Sequence, residues 1–414
     1  MRVGIVAAAC ATAALLLASA PAAHAADFGD CPGVSGGNGR YMLKADASCD
    51  LSLLGDDAHV DLAGYTLSTI STTSGPSSVV HGVHVVISGG SLRANGIFWM
   101  GGGGRMDHLD VSALGTGSPS GFFIEAGPDF TVTQSHFHDL PPTSIAIDFY
   151  FSNNGSVSHS TFSHTWMGVS VQKSSGVTIQ HNTFKFNANG VNLYNEDSFG
   201  VNNITVFSNS FANNSAAGIR VRDNYIGGDV HPTFENTRIT HNLISDNGGS
   251  GIDITLRCTS SRQSNCSSPG SSSILVEANK SDRNGYTPSG VDARISDPAS
   301  IRALERGPLA HSSAAQADVT AGAGPSDFSA NDSSSNSAYG ASDDGITARA
   351  FVCATTCDTP AIDQLASIRV EKNMTSRNAD RGIDAEGVTD GGKNTSRLNT
   401  NPDPCLGVVC RVAQ

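Results

Sequence analysis

Apolar residues along this chain recur in short alternating runs, and the runs repeat. Val177–Leu193 reads V-T-I-x-x-N-x-F…N-G-V-x-L, and Ile204–Val221 reads I-T-V-x-x-N-x-F…A-G-I-x-V. Aligned on the apolar position before the small polar residue, related segments start at Val132 (VTQSHF), Val157 (VSHSTF), Ile179 (IQHNTF), Val206 (VFSNSF), Ile239 (ITHNLI) and Val276 (VEANKS). Their spacings are 25, 22, 27, 33 and 37 residues. A second short run follows each, at Ile145, Gly168, Gly190, Gly218, Gly251 and Gly290, with two late members at Gly345 and Gly382. Alternation with period two over a few residues predicts half-buried strands, whereas a helix needs a 3.6-residue period over a longer window. Gly, Asn and Ser bound the runs, which places turns between them.

Short strands at fixed places in a repeat of this length stack on their own copies, each pairing in parallel with its equivalent about 4.8 Å away. The predicted fold is all-β: a single-stranded right-handed parallel β-helix of roughly 10–12 coils, with Val, Ile, Leu and Phe filling the bore. The Val132, Val157, Ile179, Val206 and Ile239 positions should form one buried stack. Asn182, Asn209, Asn242 and Asn279 share one position of successive coils. A buried amide must be hydrogen-bonded. Stacked amides can bond each other, as in cross-β ladders, and Asn tolerates the left-handed backbone of a sharp corner.

Domain organisation follows from the same pattern. Residues 1–25 read as a signal peptide: Arg2, a short apolar core, and Ala23-His24-Ala25 as a cleavage site. Residues 26–54 are expected to form an N-terminal cap, 55–295 the β-helix, and 342–414 the final coils with a C-terminal cap. Residues 296–341, rich in Ala, Ser, Gly, Asp and Pro, read as a long excursion whose composition allows disorder. No later stretch is long and apolar enough to predict a membrane span. The expected location is therefore secreted or periplasmic.

Beyond the signal segment eight cysteines lie as sequence neighbours: Cys31/Cys49, Cys258/Cys266, Cys353/Cys357 and Cys405/Cys410. Proximity suggests these pairs among the 105 pairings that eight cysteines allow. Disulfides fit an oxidising compartment. The net charge is −13, with only 25 Lys and Arg. That argues against nucleic acid as a partner, which requires a basic face. It leaves room for a local basic strip that binds an acidic sugar.

The runs VDLAGYTL, NTFKFNANGVNLYN and the final GIDA…GVTDGG…NPDPC…VVC together resemble secreted bacterial right-handed β-helix repeat proteins of the pectate-lyase-like superfamily, over most of residues 50–410. That resemblance implies the same fold. The superfamily includes polysaccharide lyases, mannuronan epimerases, glycoside hydrolases, copper-site maturation proteins and adhesins. Neither the tyrosine-and-acid motif of the epimerases nor the Asp-rich signature of the polygalacturonases is found here, and fold alone does not assign an activity.

Candidate chemistry sits on the second run, where G-I-x-I turns x outward. One outward column reads Ala146, Ser170, Asn192, Arg220, Asp253 and Asp292; the next reads Asp148, Gln172, Tyr194, Arg222, Thr255 and Arg294. Elimination or epimerisation of a uronic acid needs a cation on the carboxylate and a base for the adjacent proton. Arg suits the first, and Tyr, Lys, His or a second Arg of shifted pKa the second. Arg220, Arg222, Tyr194 and Asp253 are therefore the candidate catalytic residues. Asn192, Gln172, Asp148, Asp223 and His181 are candidate substrate contacts. Asp223 with Asp253 would be the acid pair if the reaction were hydrolysis. The plainer reading pairs Arg220 with Asp253 as a surface ion pair worth about 0–1 kcal/mol.

A histidine column, His159, His181 and His241, with His136, His138 and His164 nearby, is a weaker metal candidate, because no carboxylate is fixed in the same column. No metal ligands are assigned. Ser342–Gly345 (SDDG) offers carboxylates to calcium but lacks full EF-hand spacing, so no cofactor is assigned. The expected function is an exported carbohydrate-active protein acting on or binding a polysaccharide or cell-surface glycan, of lyase, epimerase or hydrolase type. The alternative is a non-catalytic structural, adhesive or surface-binding β-helix.

Overall fold

The computed structural model describes residues 28–69, 78–114, 123–195, 200–226, 234–259, 273–285, 344–353, 359–360 and 368–412. The expected signal segment, the 296–341 excursion and the Cys258/Cys266 and Cys353/Cys357 side chains lie outside the described residues.

The described chain is a right-handed parallel β-helix. Each coil has three sides. The first carries strands such as Ser156–Ser158, Thr178–Gln180 and Thr205–Phe207; the second, Thr161–Ser163, Thr183–Lys185 and Ser210–Ala212; the third, Met167–Gln172, Asn189–Asn195 and Ile219–Ile226. Equivalent strands pair in parallel from coil to coil. Eleven strands line up along the third side among the described residues, within the expected range of coils. Val132, Val157, Ile179, Val206 and Ile239 stand in direct register and are fully buried. The rings of Phe137, Phe162, Phe184 and Phe211 stack beside them, with centroids 4.8–4.9 Å apart and planes within 10°.

That ring stack explains the glycines that open two of the third-side runs, Gly168 and Gly190. A Cβ on Gly168 would stand 2.5 Å from the Phe184 ring and 2.7 Å from the Gly190 carbonyl oxygen. Only glycine lets the backbone come this close to the rings.

The corners run on asparagine. Asn182, Asn209, Asn242 and Asn279 form the expected ladder, and Asn373 and Asn394 extend it. In each step the side-chain oxygen accepts from the backbone N–H of the preceding coil's Asn, as in Asn209 N–H to Asn242 Oδ1 at 2.9 Å. One expectation is corrected here. The left-handed residue is not the Asn but the one before it: His181, Ser208, His241 and Ala278 have φ between 53° and 58°, and His159, before Ser160 at the same corner, has φ 52°. The Asn supplies the hydrogen bonds and its predecessor makes the bend. His is among the residues enriched in that conformation, which accounts for the histidine column.

A second ladder closes the next corner. Asn187, Asn214, Asn247, Asn284, Asn378 and Asn399 are bonded in the same way. It went unread in the sequence, although an Asn follows each ladder Asn five residues later in every one of these coils.

At the N-terminal end, Arg40–Leu43 pairs antiparallel with Val34–Gly37 and parallel with His59–Asp61, which joins the end segment to the stack. Cys31 and Cys49 are disulfide-bonded, as are Cys405 and Cys410 at the other end. No helix among the described residues is long and apolar enough to cross a membrane.

Candidate functional site

The third side carries the polar residues singled out above. Its strands Ile145–Tyr150, Met167–Gln172, Asn189–Asn195, Ile219–Ile226, Ile252–Thr259 and Ile346–Cys353 lie side by side. Alternation turns two rows of side chains away from the bore. The first row runs Glu125, Asp148, Ser170, Asn192, Arg220, Asp253, Thr347 and Asp384. The second runs Tyr150, Gln172, Tyr194, Arg222, Thr255 and Arg349. The structure thus brings Asn192, Arg220 and Asp253 into one row and Gln172, Tyr194 and Arg222 into the next.

Two register expectations change. Asp148 pairs with Ser170, in the first row, and Tyr150 takes the place expected of it beside Gln172. The segment is slipped by two residues, and such a slip keeps every apolar side chain inward. The strand beside Ile252–Thr259 is Ile346–Cys353, so Thr347 rather than Asp292 stands next to Asp253. Asp292 and Arg294 lie outside the described residues.

Although they point away from the bore, six of these fourteen groups are buried: Asp148, Ser170, Gln172, Asn192, Arg220 and Thr347. Gln172 Nε2 donates to Asp148 Oδ1 at 3.2 Å and to Ser170 Oγ at 3.1 Å. Thr255 Oγ1 donates to Asp253 Oδ1 at 2.9 Å. Burial pushes the Glu125 carboxyl upward. Two buried atoms in these rows have no hydrogen-bond partner, Arg222 Nε and Gln172 Oε1. A buried donor without an acceptor costs about 1–3 kcal/mol, and more when charged.

Asp223 pairs through its backbone with Asn195 and Leu256, and its side chain lies outside the described residues. His181 is not on this side. It sits at the corner between the first and second sides, its ring 5.1 Å from that of His159 and 5.7 Å from that of Phe207.

Toward the C-terminal end the strip becomes an acid cluster. Asp344 is fully buried; it accepts from Arg381 N–H at 2.8 Å and from Thr347 Oγ1 at 3.2 Å. Arg349 Nη2 lies 3.1 Å from Asp384 Oδ2 and 3.9 Å from Asp344 Oδ2. Burial, with Asp384 and Asp380 nearby, raises the Asp344 pKa to about 6. The residues SDDG were weighed for calcium. Asp344 instead caps the turn at Arg381, and Asp343 lies outside the described residues. Among the described residues, the side chains spaced to hold a metal are Asp110, His136 and His138, on another side of the coil.

Residues 74–235 match the family described as "Right handed beta helix region". Among solved structures the chain is similar to the periplasmic alginate epimerase AlgG, at 15% identity over 92% of this chain and 80% of that one, with a TM-score of 0.48. It is also similar to the mannuronan C-5 epimerase AlgE6 A-module of Azotobacter vinelandii, at 13% identity over 91% and 89% of the two chains and a TM-score of 0.40. A third is pectate lyase Pel9A, at 13% identity over 84% and 63% and a TM-score of 0.31. No curated protein matches the chain.

Proposed function

We propose that the third side of this β-helix binds an acidic polysaccharide, and that the protein does so outside the cytoplasm, where its disulfides persist. The observation that carries the reading is Arg222. Its Nε–H is buried without an acceptor, one position along the row from Tyr194 and two residues from Arg220. A sugar carboxylate supplies the missing acceptor and suits the guanidinium fork. Asn192 and Asp253, flanking Arg220 in the adjacent coils, offer donors and acceptors to hydroxyl groups. An extended ligand lying across the strands would meet one coil about every 4.8 Å.

If the bound sugar reacts, elimination or epimerisation fits the residues better than hydrolysis. An arginine on the carboxylate eases removal of the adjacent proton, and Tyr194 is the group placed to take it. A hydrolase needs two free carboxyls. Asp148 and Asp253 each already accept a side-chain hydrogen bond. Those same bonds favour a second reading, binding without turnover.

The test is binding of uronans and matched neutral glycans, followed by assay for unsaturated ends. A uronan is expected to bind in preference to its neutral counterpart. Arg222→Ala should weaken that binding by about 10- to 150-fold, the equivalent of about 1.5–3 kcal/mol for a charge-assisted bond. Lys280→Ala, on the second side, should leave it unchanged. Absence of binding across the panel, or equal affinity in the Arg222 variant, would remove the proposal. Unsaturated ends separate turnover by elimination from binding alone.

A further inference from the structure

The second side holds an arrangement that the reading above does not use. Asp110 and His136 pair across adjacent coils, and His138, two residues on, projects from the same face. The two imidazole rings are stacked, with centroids 4.6 Å apart. Both reach the same carboxylate oxygen: Asp110 Oδ1 is 2.9 Å from His138 Nε2 and 3.4 Å from His136 Nδ1. The three candidate ligand atoms all lie within 4.8 Å of one another. Asp110 and His136 are about half exposed, so coordination positions remain open to water.

The second observation concerns His138. Its Nδ1 lies 2.8 Å from Asp139 Oδ2 while its Nε2 faces Asp110. A neutral imidazole carries one N–H. With that hydrogen on Nδ1, donated to Asp139, the Nε2 lone pair points at a carboxylate oxygen, and the two repel. A cation between them removes the conflict. Metal-bound histidines commonly have their other ring nitrogen held by a carboxylate in this way. Asp139 itself is fixed by the corner, where its φ is 51°.

We propose that Asp110, His136 and His138 bind a divalent first-row transition-metal ion, Zn²⁺ or Cu²⁺, with Asp139 as the positioning residue that orients His138. Two imidazoles and one carboxylate suit these ions, whereas Ca²⁺ and Mg²⁺ take all-oxygen sets. The site stands apart from the third side and does not depend on its function.

The chain has 13 histidines, so variants must identify the site. Calorimetric titration of the full chelator-stripped chain with Zn²⁺, repeated with Cu²⁺, should show one saturable site, with Cu²⁺ the tighter. Ca²⁺ should not compete. His138→Gln should abolish that site, and Asp139→Asn should weaken it by about 10- to 100-fold. All of these positions are on the surface, and circular dichroism checks that the β-helix is retained. No saturable binding, or equal binding by His138→Gln and His136→Gln, overturns the proposal.

Discussion

Replacing Asn242 by alanine is expected to destabilise the protein by about 3–5 kcal/mol, a large effect for one uncharged residue, because Asn242 is fully buried in its corner. Asn242 Oδ1 accepts from Asn209 N–H at 2.9 Å and from Asn209 Nδ2 at 3.1 Å; its Nδ2 donates to the Val206 carbonyl at 3.0 Å. The alanine takes these partners from the buried Asn209 N–H and Val206 carbonyl, each loss worth about 1–3 kcal/mol when no water replaces it, while Asn209 Nδ2 keeps the Ile179 and Phe207 carbonyls. The coils on either side lose their shared corner together, because a solenoid is held by nearest-neighbour contacts. The contrast is His241→Gly in the same corner. His241 has φ 58°. Glycine takes that conformation without strain but gives up about 0.5–1 kcal/mol of chain entropy, so the net change should be near zero. Urea midpoints of the two variants check this. Equal midpoints would show that water fills the ladder position and that the corner does not depend on the amide.

Asp344 is expected to make the protein less stable as pH rises from about 4 to about 6. Its pKa is about 6 in the fold against an ordinary value of 3.8, with burial the leading cause. A carboxyl whose pKa is raised by folding binds its proton more tightly in the native state. Its contribution is therefore favourable below the unfolded pKa and is withdrawn as pH rises through the folded one. The difference corresponds to about 3 kcal/mol. Arg349, 3.9 Å from the carboxylate, offsets part of this, so the figure is an upper value. Asp344→Asn keeps an acceptor for Arg381 N–H and can donate to Thr347 Oγ1. The variant should gain on the wild type between pH 4 and 7 and stop gaining above about pH 7. Denaturant unfolding of both proteins at pH 4, 5.5 and 7 measures the gap. A gap that does not change with pH would show that Asp344 is charged throughout and neutralised by Arg349.

Much of the site could be read before the fold was seen, for a particular reason. Asn192, Arg220 and Asp253 lie in segments that share the G-apolar-x-apolar motif, so counting from the glycine placed them in one row, and the strand register agrees. Asp148 broke the scheme because Ile145–Tyr150 has no such glycine at its start and follows Pro141-Pro142. Its row was therefore assigned two residues out. His181 was grouped with the strip on residue type, but its position before a ladder Asn places it at a corner, and that position was visible in the sequence. His136 and His138 are visible beside the histidine column, but Asp110 is not, because it belongs to Arg105–Ala113, a strand that spans two sides and lacks the N-x-F marker.

What the sequence determined by itself is the local code of one coil. Alternation decides which side chains enter the bore, glycine marks where the third side meets the stacked rings, and the paired Asn positions mark the two corners. Each of these is a short-range requirement, met or failed within a few residues. What only the tertiary structure decided is which coil lies against which, and at what offset. Side-chain orientation in a strand repeats every two residues, so a two-residue slip at Asp148 leaves the apolar pattern intact. The Gly290 and Gly345 segments satisfy the same inward pattern, and it is Ile346–Cys353 that docks beside Ile252–Thr259. Charged neighbours arise from that docking alone: Arg220 meets Asp253, and Asp110 meets two histidines, across hydrogen bonds between residues that stand 26 to 33 positions apart in the chain.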